Sequence, residues 1–267
     1  MTPTQVRGLL AAHGLRASKA LGQHFLADPN TAQRIVRLAG IGAGDAVVEV
    51  GPGVGSLTVA LADAGAHVTA IELDRHVLPA LRDALGPRAV EIVEGDALAV
   101  DWATVLQGSS RWSMVANLPY NVGTPIVMRA LESAPMIEAF LVMMQREVGE
   151  RLAADVGTRA YGAVSVKVAY YARATVVGTV SPTVFIPAPK VESALVRIER
   201  RAEPAVQVHD PQRLFALVRA GFATRRKTLR RALAAAITPE AFVHAGIDPQ
   251  RRAETLTLAE WARLADA

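Results

Sequence analysis

Apolar residues along this chain fall into short unbroken bursts, and between the bursts they recur every three or four positions. The bursts predict strands at Ala46–Val50, His67–Glu72, Ala89–Val93, Trp112–Ala116 and Ala139–Met144. The three-to-four spacing predicts helices over Ser56–Ala64, Asp74–Leu85, near Thr124–Leu131, and at Glu147–Ala153 and Ala163–Tyr171. An earlier helix should open at Asp28-Pro29 and run to about Leu38, with Asp28 as its cap and Pro29 in its first turn. Asp74 similarly predicts a cap, and Gly86-Pro87 a stop. Thr175–Val180 and Ala194–Glu199 read as a closing strand pair. Near-continuous apolar strands separated by helices indicate a parallel sheet covered on both faces, the α/β class. Beyond about residue 205 the pattern is wholly helical, which predicts a large domain over residues 1–204 and a small all-α domain over 205–267. No internal repeat interrupts this order.

Composition narrows the picture. The 267 residues are 51% hydrophobic and 20% charged, enough apolar material for a sizeable core. There is no cysteine, which excludes disulfides, thiol catalysis and Cys-ligated zinc and suits a reducing, cytoplasmic setting. No secretory signal is evident at the start, and the apolar runs, such as Ala139 to Met144, are far too short to span a bilayer. Net charge is +4, but residues 31–204 are slightly acidic, and the positive surplus lies at the two ends. An anionic partner gripped from the periphery is expected.

The candidate chemistry sits at strand ends. Asn117-Leu118-Pro119-Tyr120 follows a predicted strand, at the edge where open parallel sheets bind ligands. Asn117 offers an amide oxygen, Pro119 fixes the loop so that it presents carbonyls, and Tyr120 gives a flat face on which a base can stack. Two acceptors beside a stacking surface suit the exocyclic amine of a nucleobase, although the same residues are common in plain turns. Upstream, Glu49 to Gly55 leaves the first predicted strand as a glycine loop spaced Gly-x-Gly-x-Gly at Gly51, Gly53 and Gly55. That is not the dinucleotide spacing, and Pro52 removes an N–H that a pyrophosphate would want. Glu72, 21 residues after Gly51, suits a carboxylate that accepts from ribose hydroxyls, and Asp96 one that accepts from an adenine amine; both also suit turn caps. Together the set favours an adenosine ligand without a pyrophosphate. A nicotinamide dehydrogenase is a poor alternative.

Longer motifs make the pattern specific. They are Leu21 to Leu26, Glu49 to Gly55, Ile71 to Asp74, Gly95-Asp96, Asn117 to Tyr120, Gln145 to Val148, Phe185 to Ser193, Arg225 to Arg230 and Gly246 to Pro249. In this order, over essentially the whole chain, they resemble the bacterial small-subunit (16S) rRNA adenine N6,N6-dimethyltransferases, a family of class I S-adenosylmethionine-dependent methyltransferases. The resemblance implies a Rossmann-like, mostly parallel seven-stranded sheet, with residues 1–30 extending over the cofactor site. It implies cofactor contacts from His24, Leu26, Gly51, Gly53, Glu72, Asp96 and Asn117, and catalysis at Asn117, Leu118, Pro119 and Tyr120, with Phe185 as a second aromatic face for the target adenine. His24 stands where the family usually has Asn, the one visible departure from the family's pattern. No metal or membrane is implied. The implied partner is 16S rRNA, within a small ribosomal subunit or its precursor, with the protein a monomer and also a late assembly factor. The related 23S rRNA dimethyltransferases of the macrolide-resistance type share the first-domain motifs, and a non-catalytic RNA-binding assembly module is the remaining alternative.

The second domain carries the grip expected for RNA. Arg225, Arg226, Lys227, Arg230 and Arg231 lie in a stretch without acids between Asp210 and Glu240. If that stretch is one helix, residues 226, 227, 230 and 231 share a broad face that suits sequence-blind phosphate contacts.

Overall fold

The structure, a computed structural model, describes every residue of the chain except Lys19. Nine strands are present among them: β1 (Phe25–Leu26), β2 (Ala46–Val50), β3 (His67–Glu72), β4 (Val90–Glu94), β5 (Trp112–Asn117), β6 (Ile137–Gln145), β7 (Ala172–Val180), β8 (Phe185–Ile186) and β9 (Ser193–Arg200). Seven form one sheet in the order β4-β3-β2-β5-β6-β9-β7, and β1 and β8 pair separately as an antiparallel ribbon. β2 pairs in parallel with both β3 and β5, β3 with β4 and β5 with β6, while β9 returns antiparallel to β6. Val47, Val48, Ala70, Val115 and Val142 are buried in it, which is why these strands read as unbroken apolar bursts. Chain order reverses at β2, which has its successor on one side and β5 on the other. The crevice beyond their carboxyl ends is therefore the place where a doubly wound sheet binds a ligand.

The helices around this sheet are α1 (Pro3–Ala12), α2 (Pro29–Ala39), α3 (Ser56–Asp63), α4 (Leu78–Leu85), α5 (Trp102–Val105) and α6 (Gly123–Ser133), and α7 (Arg146–Leu152) follows β6 directly. Most lie within a residue or two of their expected bounds. α4 does not: it begins at Leu78, four residues after the expected cap. Asp74 Oδ1 accepts from the His76 N–H and so caps a turn of its own, and Pro79 then occupies the helix's first turn. α1 was not expected. Thr2 and Gln5 form a capping box at its start, and Val6 buries against Phe25, Val54 and Val77.

The chain divides into two compact units, Met1–Gly149 with Thr175–Arg200, and Glu150–Ala174 with Arg201–Ala267. The expected boundary at 204/205 is thus corrected. α8 (Ala163–Tyr171) belongs to the helical unit, together with α9 (Pro211–Ala223), α10 (Leu229–Ala232), α11 (Pro239–Ala245) and α12 (Leu258–Asp266). The reason is burial: Tyr161, Val166 and Tyr170 complete the core formed by Leu214, Phe215, Leu229 and Trp261. Among the described residues no helix is long and apolar enough to cross a membrane.

Candidate active site

The first unit carries a cleft at the carboxyl ends of β2, β3 and β5. Three stretches line it: Leu21–Leu26, the glycine loop with the end of β3, and Asn117–Val122. The local sequence explains how closely they approach. Gly51 has φ +72°, and a Cβ there would lie 3.2 Å from Pro119 Cδ; Gly53 has φ +55°, and a Cβ would lie 2.9 Å from the Phe25 ring. Glycine therefore lets the Asn117–Tyr120 loop and the N-terminal stretch both close on the turn after β2.

Glu72 ends β3 with 6% of its surface exposed. Its Oε2 accepts from Gly53 N (3.0 Å) and its Oε1 from Asp74 N (2.9 Å), so the carboxylate fixes the glycine loop as well as facing the cleft. Burial pushes its pKa up, and those backbone N–H groups offset part of the shift. Asp96 is placed differently. It is exposed, lies outside the lining of the cleft, and its Oδ1 accepts from Leu98 N at 2.8 Å. Its neighbour Gly95 bonds to the Glu72 carbonyl, which sets Asp96 at the adjoining strand end in a turn-capping role.

Asn117 closes β5. Its Nδ2 donates to the His24 carbonyl at 3.0 Å. A carbonyl only accepts, so the orientation of the amide is fixed: Oδ1 must face away from His24, and it is buried without a hydrogen-bond partner. A lone acceptor in a residue that lines a cleft is costly unless a donor comes from outside. Leu118 is held by its N–H to Met143 O (3.0 Å), and the Pro119 carbonyl takes the Val122 and Gly123 N–H groups as α6 begins. Tyr120 lines the cleft with its hydroxyl 2.6 Å from Ser193 Oγ.

The N-terminal stretch is fastened across this cleft. Gln23 Nε2 donates to Asp74 Oδ2 (2.9 Å), Asn121 Nδ2 to the Ala20 carbonyl (2.9 Å), and Ser56 Oγ to the Leu26 carbonyl. His24 Nδ1 lies 2.7 Å from the Pro187 carbonyl, so Nδ1 carries the proton and Nε2 of a neutral ring is left as an acceptor. The His24 ring also packs on Tyr120, with centroids 5.0 Å apart and planes tilted by 35°. One face of Tyr120 is thus partly taken.

Two sequence expectations are corrected here. Phe185 does not face the cleft. It is 3% exposed, because antiparallel pairing of β8 with β1 sets it against Leu26 and buries it in the core with Ile35 and Leu195. Its apolar surface is worth more in that core than at a wet rim. The five cations do not share one helix either. α9 stops at Ala223, Arg225–Lys227 form a turn, and Thr228 leads into α10, which carries Arg230 and Arg231. The Leu229 and Arg230 N–H groups bond to the carbonyls of Arg251 and Pro249 instead of continuing a helix. All five side chains are exposed.

One lining residue was missed as a site residue. Glu49 is 1% exposed within β2, and its Oε2 has no hydrogen-bond partner. Burial first, then the nearby charge of Glu72, push its carboxyl up to about 8, with the Thr58 hydroxyl opposing. The signal was in the sequence: a carboxyl inside Ala46-Val47-Val48-Glu49-Val50 is out of place in a buried strand unless the strand serves a ligand.

Residues 14–267 match the family described as ribosomal RNA adenine dimethylase. A small-subunit rRNA methyltransferase A from Magnetococcus marinus is 46% identical, over 98% of this chain and 95% of its own length. The crystal structure of the 23S rRNA methyltransferase ErmE superposes with a TM-score of 0.69 at 28% identity, covering 90% of this chain and 98% of that one. A dimethyladenosine transferase from Plasmodium falciparum gives 0.74 over 90% of this chain and 96% of its own, at 24% identity, a likeness of fold. With a match that spans both compact units, this chain belongs to the ribosomal RNA adenine dimethylase family.

Proposed function

We propose that this protein transfers methyl groups from S-adenosylmethionine to N6 of two adjacent adenosines in a hairpin loop near the 3′ end of 16S rRNA, giving N6,N6-dimethyladenosine. The observation that carries the reading is the unpartnered Asn117 Oδ1 in a cleft beside Tyr120. The 46% identity to a small-subunit enzyme, against 28% to the 23S enzyme, favours the small subunit as the substrate.

The residues of the cleft fit the cofactor. Its lining contains no lysine or arginine, so it has no cation for a pyrophosphate. When bound, the cofactor supplies a methyl group on a positively charged sulfur. Glu72 would accept from the ribose hydroxyls, and the backbone at Gly51 and Gly53 would let the ligand lie close. His24 and Leu26 would cover it from above the glycine loop, and Asp96 would serve the adenine edge after a side-chain rotation.

The adenine N6 lone pair is delocalised into its ring, so the amine is a poor nucleophile. Hydrogen bonds from its N–H groups to Asn117 Oδ1 and the Leu118 carbonyl would favour a pyramidal nitrogen with its lone pair aimed at the methyl carbon. Pro119 keeps that carbonyl in place, and Tyr120 offers its open face to the base. No strong base is needed, because the methylated nitrogen is acidic and its proton leaves to water. Positioning and electrostatics then carry the acceleration, for which intramolecular reactions allow roughly 7–11 kcal/mol. The exposed cations around the α9–α10 turn would grip phosphates without reading sequence, and specificity would come from bases splayed out of a loop. Binding of this kind also suits a late role in small-subunit assembly within the cytoplasm.

Incubation with methyl-labelled cofactor and small subunits that lack the modification, followed by nucleoside analysis, tests the reading. Label in N6,N6-dimethyladenosine of 16S rRNA is the expected result. Label that appears only when isolated 23S rRNA is offered in a parallel reaction, or in neither reaction, would overturn it.

A further inference from the structure

We propose that Ser193 is a positioning residue that holds Tyr120 in place, and that this hold matters more for the second methyl transfer than for the first. The inference rests on the proposed adenine N6 dimethylation and deepens it.

Ser193 opens β9 opposite Gln145, the last residue of β6, so its backbone is locked in the sheet ladder at the edge of the cleft. It has no exposed surface, and its hydroxyl is spent on Tyr120 at 2.6 Å. Tyr120, by contrast, lies in the loop between β5 and α6, without a strand or helix to hold it. The other restraint on its ring is His24, which is anchored through Nδ1 to the Pro187 carbonyl. Both restraints therefore lead to one stretch, Pro187–Ser193, that itself adds no atom to the lining of the cleft. Burial keeps the phenol protonated well above neutrality, so the hydroxyl pair persists across the working pH range.

The demand on this hold changes between the two steps. In each transfer the N6 lone pair forms the new C–N bond, the C–S bonding pair stays with sulfur, and a proton leaves N6 for water. Unmodified adenine brings two N–H groups to two acceptors. N6-methyladenine brings one, so one acceptor goes unused and the base is aligned more by its stacking surface. A Tyr120 ring free to swing then costs the second transfer a larger share of its near-attack population.

The test uses the full chain, small subunits lacking the modification, and S-adenosylmethionine. It compares wild type, Ser193→Ala, Tyr120→Phe and the double variant by the ratio of N6-monomethyl- to N6,N6-dimethyladenosine during turnover. Each single variant should raise that ratio by about fivefold, the factor a single hydrogen bond represents, and the double variant by no more than either alone. A Ser193 that merely satisfies its own hydroxyl would lower stability and leave the ratio unchanged, which would overturn the proposal. Independent, multiplying effects in the double variant would overturn it as well. If Ser193→Ala fails to fold, Tyr120→Phe removes the same bond with the ring kept, and an unchanged ratio there is equally fatal. Active variants with unchanged ratios sink this inference alone, whereas a wild type that methylates no adenosine sinks the functional reading along with it.

Discussion

Around the cleft of the first unit, polar side chains are fastened to the protein itself: Glu72 to Gly53 and Asp74, Gln23 to Asp74, Asn117 to His24 and Tyr120 to Ser193. At the turn between α9 and α10 in the helical unit, Arg226, Lys227, Arg230 and Arg231 instead stand exposed on the surface. Each arrangement matches what its ligand demands. A lone pair must be aimed at one atom, and a small misplacement costs orders of magnitude, so the groups that aim it are tied down. A phosphate backbone is gripped by charge, which falls off slowly with distance and tolerates many geometries. Under the proposed function, the tied-down side chains would supply shape and the exposed cations field.

Removing the aiming group should have the largest effect. Asn117→Ala is expected to lower kcat by about 10²–10³-fold, the range seen when one preorganised polar contact to a reacting group is deleted. Because Nδ2 also holds the His24 carbonyl, the same change should loosen the stretch over the cleft and weaken cofactor binding several-fold. Single-turnover rates and calorimetry separate the two losses. Near-normal turnover by this variant would place the acceptor elsewhere.

Next comes the buried carboxyl. Glu49 stays neutral in the folded protein up to about pH 8, whereas in the unfolded chain it ionises near 4.5. The folded state therefore holds the extra proton between those values, and stability should fall as pH rises through that window and level off on either side. Glu49→Gln removes this slope, so the stability gap between variant and wild type should widen by up to about 1.4 kcal/mol per pH unit. The charge of Glu72 adds to the Glu49 shift, so Glu49→Gln also relieves Glu72 of its neighbour, and the slope that is lost belongs to the pair. Urea midpoints measured from pH 4.5 to 8.5 check it, and parallel curves would show that Glu49 ionises as it does in water.

How much of this was legible from sequence follows the same division. The parallel strands announced themselves because both faces are buried, so β2, β3, β5 and β6 fell within a residue or two of expectation. The glycine loop, Glu72 and Asn117 are legible because they follow strand ends, and the structure gathers them around one cleft. Misreadings arose where a distant partner decided the outcome. Phe185 looked like a presented ring until β1 paired with its strand, and Tyr161 and Tyr170 looked like first-domain residues until the helical core claimed them. The basic stretch read as one helix because its spacing allowed it, and only the carbonyls of Pro249 and Arg251 explain the break. Glu49 is legible as a carboxyl inside the apolar strand Ala46–Val50, although the motif it opens points to its glycines.

The cation cluster should show itself in salt dependence more than in rate. Replacing Arg226, Lys227, Arg230 and Arg231 by Gln is expected to weaken RNA binding at any sequence. It should also flatten the plot of log affinity against log salt by about 0.7–0.9 for each phosphate no longer neutralised. Turnover at saturating substrate should be nearly unchanged, and folding stability should move by less than about 0.5 kcal/mol, as for most surface substitutions. An unaltered salt slope would take the RNA grip away from this turn.

Arg225 gives the smallest effect and the sharpest division. Its Nε and Nη2 reach Glu254 Oε2 at 3.4 and 3.3 Å, and Nη2 donates to the Arg159 carbonyl at 3.2 Å. It therefore ties three segments of the helical unit together while its neighbours face solvent. The pair is partly exposed and screened by water, so Arg225→Gln should cost at most about 1 kcal/mol of stability. Glu254→Gln should cost a similar amount, and the two should couple in a double-mutant cycle. If Arg225 is committed to this contact, its removal should leave the salt slope of RNA binding close to that of the wild type. A slope reduced as much as by Arg226→Gln would instead mean that the arginine lets go of Glu254 to take a phosphate.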